Sequence, residues 1–212
     1  MHPVWKLLAG LVPVVWLPVF HGLDSGLELT ASACLPQDDK QAKPPTEPYR
    51  GPDVPYVATP RAVVEKMLEL AEVKKGDVVY DLGCGDGRIV VTAAKKYGVK
   101  AVGVDIDPER VEESRENVRK NKLEKLVTIK KADIFTLDFK EATVVTLYLL
   151  PEVNVKLMPQ LARLKPGSRI VSHDFAMRGA RPSKVVRMKA PDYRGHEREH
   201  IIYLWTVPWD KK

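Results

Sequence analysis

The chain has 212 residues, of which 44% are hydrophobic and 29% charged, a globular composition with room for one domain and an extension. Its two cysteines, Cys34 and Cys84, make neither a disulfide framework nor a metal cluster. The formal charge of +6 is uneven: residues 1–60 hold four Lys/Arg against six Asp/Glu, so the remainder is basic, but no basic–aromatic repeat marks it for nucleic acid.

Residues 1–35 place Lys6 ahead of an apolar run from Leu7 to Phe20, interrupted by Pro13 and Pro18. The run is short for a membrane span, which needs about 20 residues. It matches the apolar core of a signal peptide, with Ala31-Ser32-Ala33 as a cleavage site and Cys34 directly after it, as in a lipoprotein. An uncleaved anchor through residues 1–23 is the alternative. Residues 36–54 read as a linker, because prolines 36, 44, 45, 48 and 52 fix φ and remove backbone donors. The folded domain is expected over 55–212.

That domain opens with Pro55-Tyr56-Val57-Ala58-Thr59-Pro60, followed by apolar positions 63, 64, 67, 68 and 71 on one helical face. Thr59 is predicted to cap this helix, with Pro60 as its first residue. Tyr56 and Thr59 then stand where they can close over a ligand. The centre of the chain is 77–87, DVVYDLGCGDG: a strand ending in Asp81, the turn Gly83-Cys84-Gly85-Asp86-Gly87, and the helix-like RIVVTAAKKY. Glycines let the backbone approach a ligand closely, and the helix start offers free N–H groups. A second strand, Ala101 to Val104, ends in Asp105, beside Ile106, where a carboxylate can accept from both hydroxyls of a ribose. A dinucleotide site would read G-x-G-x-x-G, but here Arg88 replaces the third glycine. Asp81 and Asp86 would repel a pyrophosphate and suit a cationic or zwitterionic ligand.

A polar helix is predicted over 109–121, and a third strand, Val127 to Ile129, leading to Asp133-Ile134. A fourth, β-branched strand runs from Thr143 to Tyr148 and into Leu149-Leu150-Pro151-Glu152-Val153-Asn154. Pro151 can start the next helix, and Pro159 is expected to divide it in two. A fifth strand, Ser168 to Ser172, ends in His173-Asp174-Phe175. Two last strands, Val185 to Met188 and His200 to Val207, read as an antiparallel pair. The fold class is therefore α/β: a Rossmann-like, mostly parallel sheet of seven strands with helices on both faces and the final strand antiparallel. Ligands of such sheets bind outside the carboxyl ends of the strands, which places Tyr148, Glu152 and Asp174 nearest the chemistry.

His196-Glu197-Arg198-Glu199-His200 spells the zincin motif H-E-x-x-H. That motif needs a helix, so that both histidines share one face. Here Gly195 precedes it and Ile201 to Trp205 follow with strand composition. In a strand the two histidines sit roughly 13 Å apart, so no metal is expected.

Acid-L-G-x-G-x-G followed by a second-strand acid resembles motifs of the class I S-adenosylmethionine (SAM) methyltransferases. PYVATP, GDVVYDLGCGDGRIVV, AVGVDIDPERV, VVTLYLLPEVN and LKPGSRIVSHDF together resemble a narrower family. It comprises the seven-β-strand protein-lysine methyltransferases that modify the ATP synthase c subunit and the adenine nucleotide translocase, with their prokaryotic relatives. The resemblance implies SAM as cofactor, held by Tyr56, Thr59, Asp81, Gly83, Gly85, Asp86, Gly87, Asp105, Ile106, Asp133, Ile134 and Tyr148. It places the adenine amino group on Asp133, with Ile134 against the ring. It implies a protein lysine as methyl acceptor, with Tyr148, Glu152 and Asp174 as catalytic candidates and Glu152 or Asp174 taking the proton. Methylation of a small molecule or lipid, or SAM binding without catalysis, stays open. Lys6 before the apolar run and Asp24 and Glu28 after it favour export. SAM is made in the cytoplasm, so the expectation is membrane association with the domain facing a SAM-containing compartment.

Overall fold

A computed structural model describes residues 56–211; the signal-like segment and the linker lie outside them. Seven strands form one sheet: β1 (Val78–Leu82), β2 (Lys100–Asp105), β3 (Val127–Lys131), β4 (Val144–Leu147), β5 (Arg169–His173), β6 (Lys184–Pro191) and β7 (Glu197–Thr206). Among the described residues four helices accompany them: α1 (Arg61–Leu70), α2 (Arg88–Tyr97), α3 (Pro108–Lys120) and α4 (Pro151–Leu161).

Strand order is β3-β2-β1-β4-β5-β7-β6. β1 to β5 pair in parallel, while β7 runs antiparallel to both β5 and β6. The chain winds outward from β1 to β3, then crosses back to β4 on the other side of β1. This reversal opens a crevice at the carboxyl ends of β1 and β4.

Side chains alternate across the sheet, as the strand pleat requires. Val79 and Val144 face one apolar cluster with Val63, Val64, Met67, Val90 and Val118 of α1, α2 and α3. Tyr80, Leu82, Val145 and Leu147 face a second one with Leu157 and Leu161 of α4 and with Trp205. Thus α1, α2 and α3 cover one face and α4 the other.

Two local expectations are corrected. Thr59 does not cap α1: the helix begins at Arg61 behind Pro60, without a side-chain cap. The Thr59 hydroxyl is buried and turns to His173 instead. Nor does Pro159 divide α4, which runs unbroken to Leu161. Pro159 sits in the last turn, so it removes only the bond to the carbonyl of Val155, an exposed residue whose backbone water can serve.

The amino ends of β1, β4 and β5 are tied by a buried charge. Asp77 accepts the Lys74 N–H (2.9 Å), the Thr143 hydroxyl (2.7 Å) and Arg169 Nη2 (2.5 Å). Burial opposes its ionisation, but these three donors outweigh it and hold the carboxyl below its ordinary range. Replacing Asp77 with alanine would leave a largely buried guanidinium and a hydroxyl without their acceptor. The expected loss is about 3 kcal/mol of unfolding free energy, read as a lower urea midpoint at unchanged slope.

Candidate active site

The crevice is lined by Tyr56 to Thr59, by Asp81, Gly83, Cys84 and Asp86, by Asp105 to Asp107, by Ala132 to Ile134, and by Tyr148, Leu149 and Val153. It encloses about 970 Å³, counted to its open mouth. Asp81, Asp86, Asp105, Asp107 and Asp133 rim it, against the two cations Arg88 and Arg110.

Asp81 is the penultimate residue of β1 and is 2% exposed. Its Oδ1 accepts the Thr146 hydroxyl at 2.7 Å. Burial pushes its pKa up to about 7; Asp105 and Asp86 add to this and the Thr146 hydroxyl opposes it. Asp105 ends β2 and braces the glycine turn, accepting the Gly85 N–H at 2.9 Å on Oδ2 and the Asp107 N–H at 3.0 Å on Oδ1. A carboxylate offers about four lone-pair positions, so about two remain for a bound diol.

The glycine turn is shaped for close approach. Gly85 has φ +54, and a Cβ there would lie 2.2 Å from the Tyr56 ring. Gly87, at φ 75, starts α2 without a side-chain cap, leaving the N–H groups of the first turn to other partners. Neither glycine lines the crevice itself, whereas Gly83 does. The Tyr56 ring is 45% exposed over Gly85, with the Arg110 guanidinium 4.9 Å from its centre.

Asp86 is engaged by its neighbour. Arg88 Nη2 donates to Asp86 Oδ2 at 2.6 Å, and Arg88 Nε reaches both carboxylate oxygens. Arg88 Nη1 donates to the Thr59 carbonyl at 2.9 Å. The arginine that breaks the dinucleotide pattern therefore fastens the leading segment to the crevice, which sequence reasoning missed. Asp133 lines the crevice and also accepts the Phe135 N–H at 2.8 Å, so it shapes its own turn; Ile134 and Ile106 line the wall beside it.

On the far wall the Tyr148 ring lies against His173, 4.0 Å between centres, and stacks on Phe175 at 6.0 Å. Burial, then Asp174, pushes the Tyr148 phenol above its ordinary range. The other two catalytic candidates do not reach the crevice lining. Glu152 follows Pro151 at the start of α4, off the buried face formed by Asn154, Leu157 and Leu161. Its side chain is 71% exposed, with Arg178 at 3.7 Å. Asp174 has a left-handed backbone, φ 58, and its carboxylate takes Arg198 at 2.6 Å and the Ile201 N–H at 3.0 Å.

The H-E-x-x-H stretch is strand from Glu197 onward, as its composition predicts. His196 is exposed in the β6–β7 turn while His200 is buried. His173, Asp174 and His200 bring one donor atom each within 4.8 Å. The Arg198 guanidinium already occupies Asp174 Oδ2, and the imidazole nitrogens bond to each other, to Thr59 and to Ala190.

Known proteins resemble this chain. The model of the ANTKMT methyltransferase domain matches residues 81–184. A protein-lysine N-methyltransferase of Saccharolobus islandicus is 48% identical over 158 residues, spanning 74% of this chain and 95% of that protein. This chain belongs to that methyltransferase family.

The human lysine N-methyltransferase of the ATP synthase c subunit is 28% identical over 123 residues, covering 58% of this methyltransferase and 52% of its own length. A crystal structure of an RNA methyltransferase from Salinibacter ruber, in complex with S-adenosyl-L-homocysteine, superposes with a TM-score of 0.65. It shares 48% identity, over 72% of this methyltransferase and 94% of that chain. The enzyme is a SAM-dependent methyltransferase. The crevice fits that cofactor: a carboxylate stands at or one residue before the end of each of the first two strands, and Gly83, which lines the crevice, leaves the backbone bare there.

Proposed function

We propose that this methyltransferase transfers the methyl group to the side-chain amine of a protein lysine. The observation that carries the reading is the lining of the crevice, where five aspartates stand against two arginines and one of those, Arg88, is already paired with Asp86. Such a rim attracts an ammonium and repels the phosphates of a nucleic acid. The relative from Saccharolobus islandicus supports it.

In this reading Asp105 holds the ribose hydroxyls, and Asp133 with Ile134 receives the adenine. Asp81 faces the amino group of the methionine moiety, and Arg110 complements its carboxylate. Tyr56 and Thr59 close the near side and Tyr148 the far side, while Gly83 lets the backbone approach and Gly85 and Gly87 shape the turn behind it. Asp86 contributes through Arg88 rather than directly. SAM supplies a methyl group on a sulfonium that departs as a neutral thioether.

The protein's task is alignment and water exclusion. A free lysine is about one part in a thousand neutral at pH 7.4, so the amine must be desolvated against Tyr148 and Leu149 to lower its pKa. Glu152 and Asp174 stand outside the crevice, and the proton leaves through the open mouth to water.

The test is incubation of the purified enzyme with methyl-labelled SAM and separate protein, RNA and lipid fractions of its source. Label recovered as methyl-lysine after protein hydrolysis is expected; label confined to RNA or lipid overturns the acceptor assignment. The Salinibacter ruber relative makes the RNA fraction a necessary arm. A membrane location through residues 1–23 belongs to the same proposal, and cell fractionation with the mass of the mature N-terminus decides it. Among the described residues no helix is long and apolar enough to cross a membrane.

A further inference from the structure

Two fully buried imidazoles stand behind the crevice, His173 at the end of β5 and His200 in β7, linked at 2.8 Å between Nε2 and Nδ1. His200 Nε2 lies 3.3 Å from the Ala190 carbonyl, and His173 Nδ1 lies 3.3 Å from the Thr59 hydroxyl. The chain of bonds has one consistent solution with both rings neutral. A carbonyl only accepts, so His200 carries its proton on Nε2 and accepts on Nδ1. His173 therefore carries its proton on Nε2, and its Nδ1 accepts from Thr59. The same His173 ring backs Tyr148, with 4.0 Å between ring centres.

We propose that His173 is a positioning residue of the transfer site. His200 locks it as the Nε2–H tautomer, so one ring holds Thr59 on the near wall and Tyr148 on the far wall. Thr59 is fastened from the other side by Arg88 through its carbonyl. With its hydroxyl proton given to His173, the Thr59 oxygen keeps its remaining lone-pair capacity for donors in the crevice. The inference rests on the crevice being the methyl-transfer site, whichever acceptor enters it.

His173 is not the base of the reaction. Burial, with His200 and Arg198, lowers its pKa to about 4 although Asp174 opposes them. Taking a proton from a lysine of ordinary pKa would be roughly a million-fold unfavourable. The groups facing the ring are Asp174 at 3.3 Å, Arg198 on that same carboxylate oxygen, His200, Thr59 and Tyr148.

The experiment compares H200Q with H200L in the full chain. An amide at position 200 can accept from His173 and donate to Ala190; a leucine can do neither. At saturating SAM, the initial rate of label transfer to source protein extract is expected to fall roughly tenfold to hundredfold in H200L. It should stay within about threefold in H200Q, since the bond pattern is kept. ¹⁵N spectra of the cofactor-free wild type at pH 7 should show Nε2–H on both rings. Equal rates in the two variants and wild type, or Nδ1–H on His173, would overturn the proposal. If H200L does not fold, the wild-type tautomer and the H200Q rate decide it alone. Total absence of transfer by wild type, with the expected tautomers intact, would count against the acceptor assignment and not against the brace.

Discussion

Asp105→Ala is expected to produce the largest loss of cofactor affinity of any single change in the crevice, about a hundredfold or more. The carboxylate serves two ends at once. It accepts the N–H groups of Gly85 and Asp107 and keeps capacity for a ribose diol. Alanine leaves two backbone donors of the glycine turn without their acceptor and removes a charged acceptor from the ligand. Each lost charged hydrogen bond is worth roughly 1.5–3 kcal/mol, and about 3 kcal/mol in total corresponds to a hundredfold. Calorimetric titration with SAM measures it. An affinity within threefold of wild type would refute the assignment of Asp105.

The second expectation concerns Asp81 and pH. Its pKa of about 7 stands far above the ordinary aspartate value. The folded state therefore binds a proton that the unfolded state releases between about pH 4 and 7. The sign follows: this group's contribution to stability is complete below the unfolded pKa and is lost as pH rises through the folded one. The displacement amounts to roughly 4 kcal/mol at pH 8. Asp81→Asn keeps the shape and removes the charge. It is expected to be the more thermostable protein at pH 8, with the advantage vanishing below pH 4. A bound cation should reverse the preference by drawing the proton off. SAM affinity should thus climb about tenfold per unit as pH rises from 5 to 7 and level off above, whereas Asp81→Asn should bind weakly at every pH. Titrations in buffers of differing ionisation heat would register the released proton. A flat affinity profile would exclude the linkage.

Much of the architecture was legible because it is local. Apolar, largely β-branched runs mark the inner strands β1, β2, β4 and β5, and the acids at 81, 105 and 133 fall at intervals that a parallel sheet brings to the carboxyl ends of its strands. What escaped detection depends on contacts between distant segments. Thr59 and His173 are 114 positions apart, and nothing near Thr59 says that its hydroxyl will bond an imidazole rather than cap a helix. Asp174 looks like a crevice acid until its left-handed backbone turns it toward Arg198. The exposure of Glu152 was decidable: Asn154, Leu157 and Leu161 set the helical phase, and Glu152 is off it. Arg88 announced itself only as a missing glycine, since its bond to the Thr59 carbonyl spans 29 positions.

The charge lock of Asp77, Thr143 and Arg169 sits at the opposite end of the strands from the crevice. Rigidity and recognition are thereby housed at separate poles of one sheet. Mutational drift at the carboxyl pole can retune which substrates the enzyme accepts while the other pole keeps the scaffold standing. Libraries aimed at new acceptors should therefore randomise the crevice walls and leave the lock untouched.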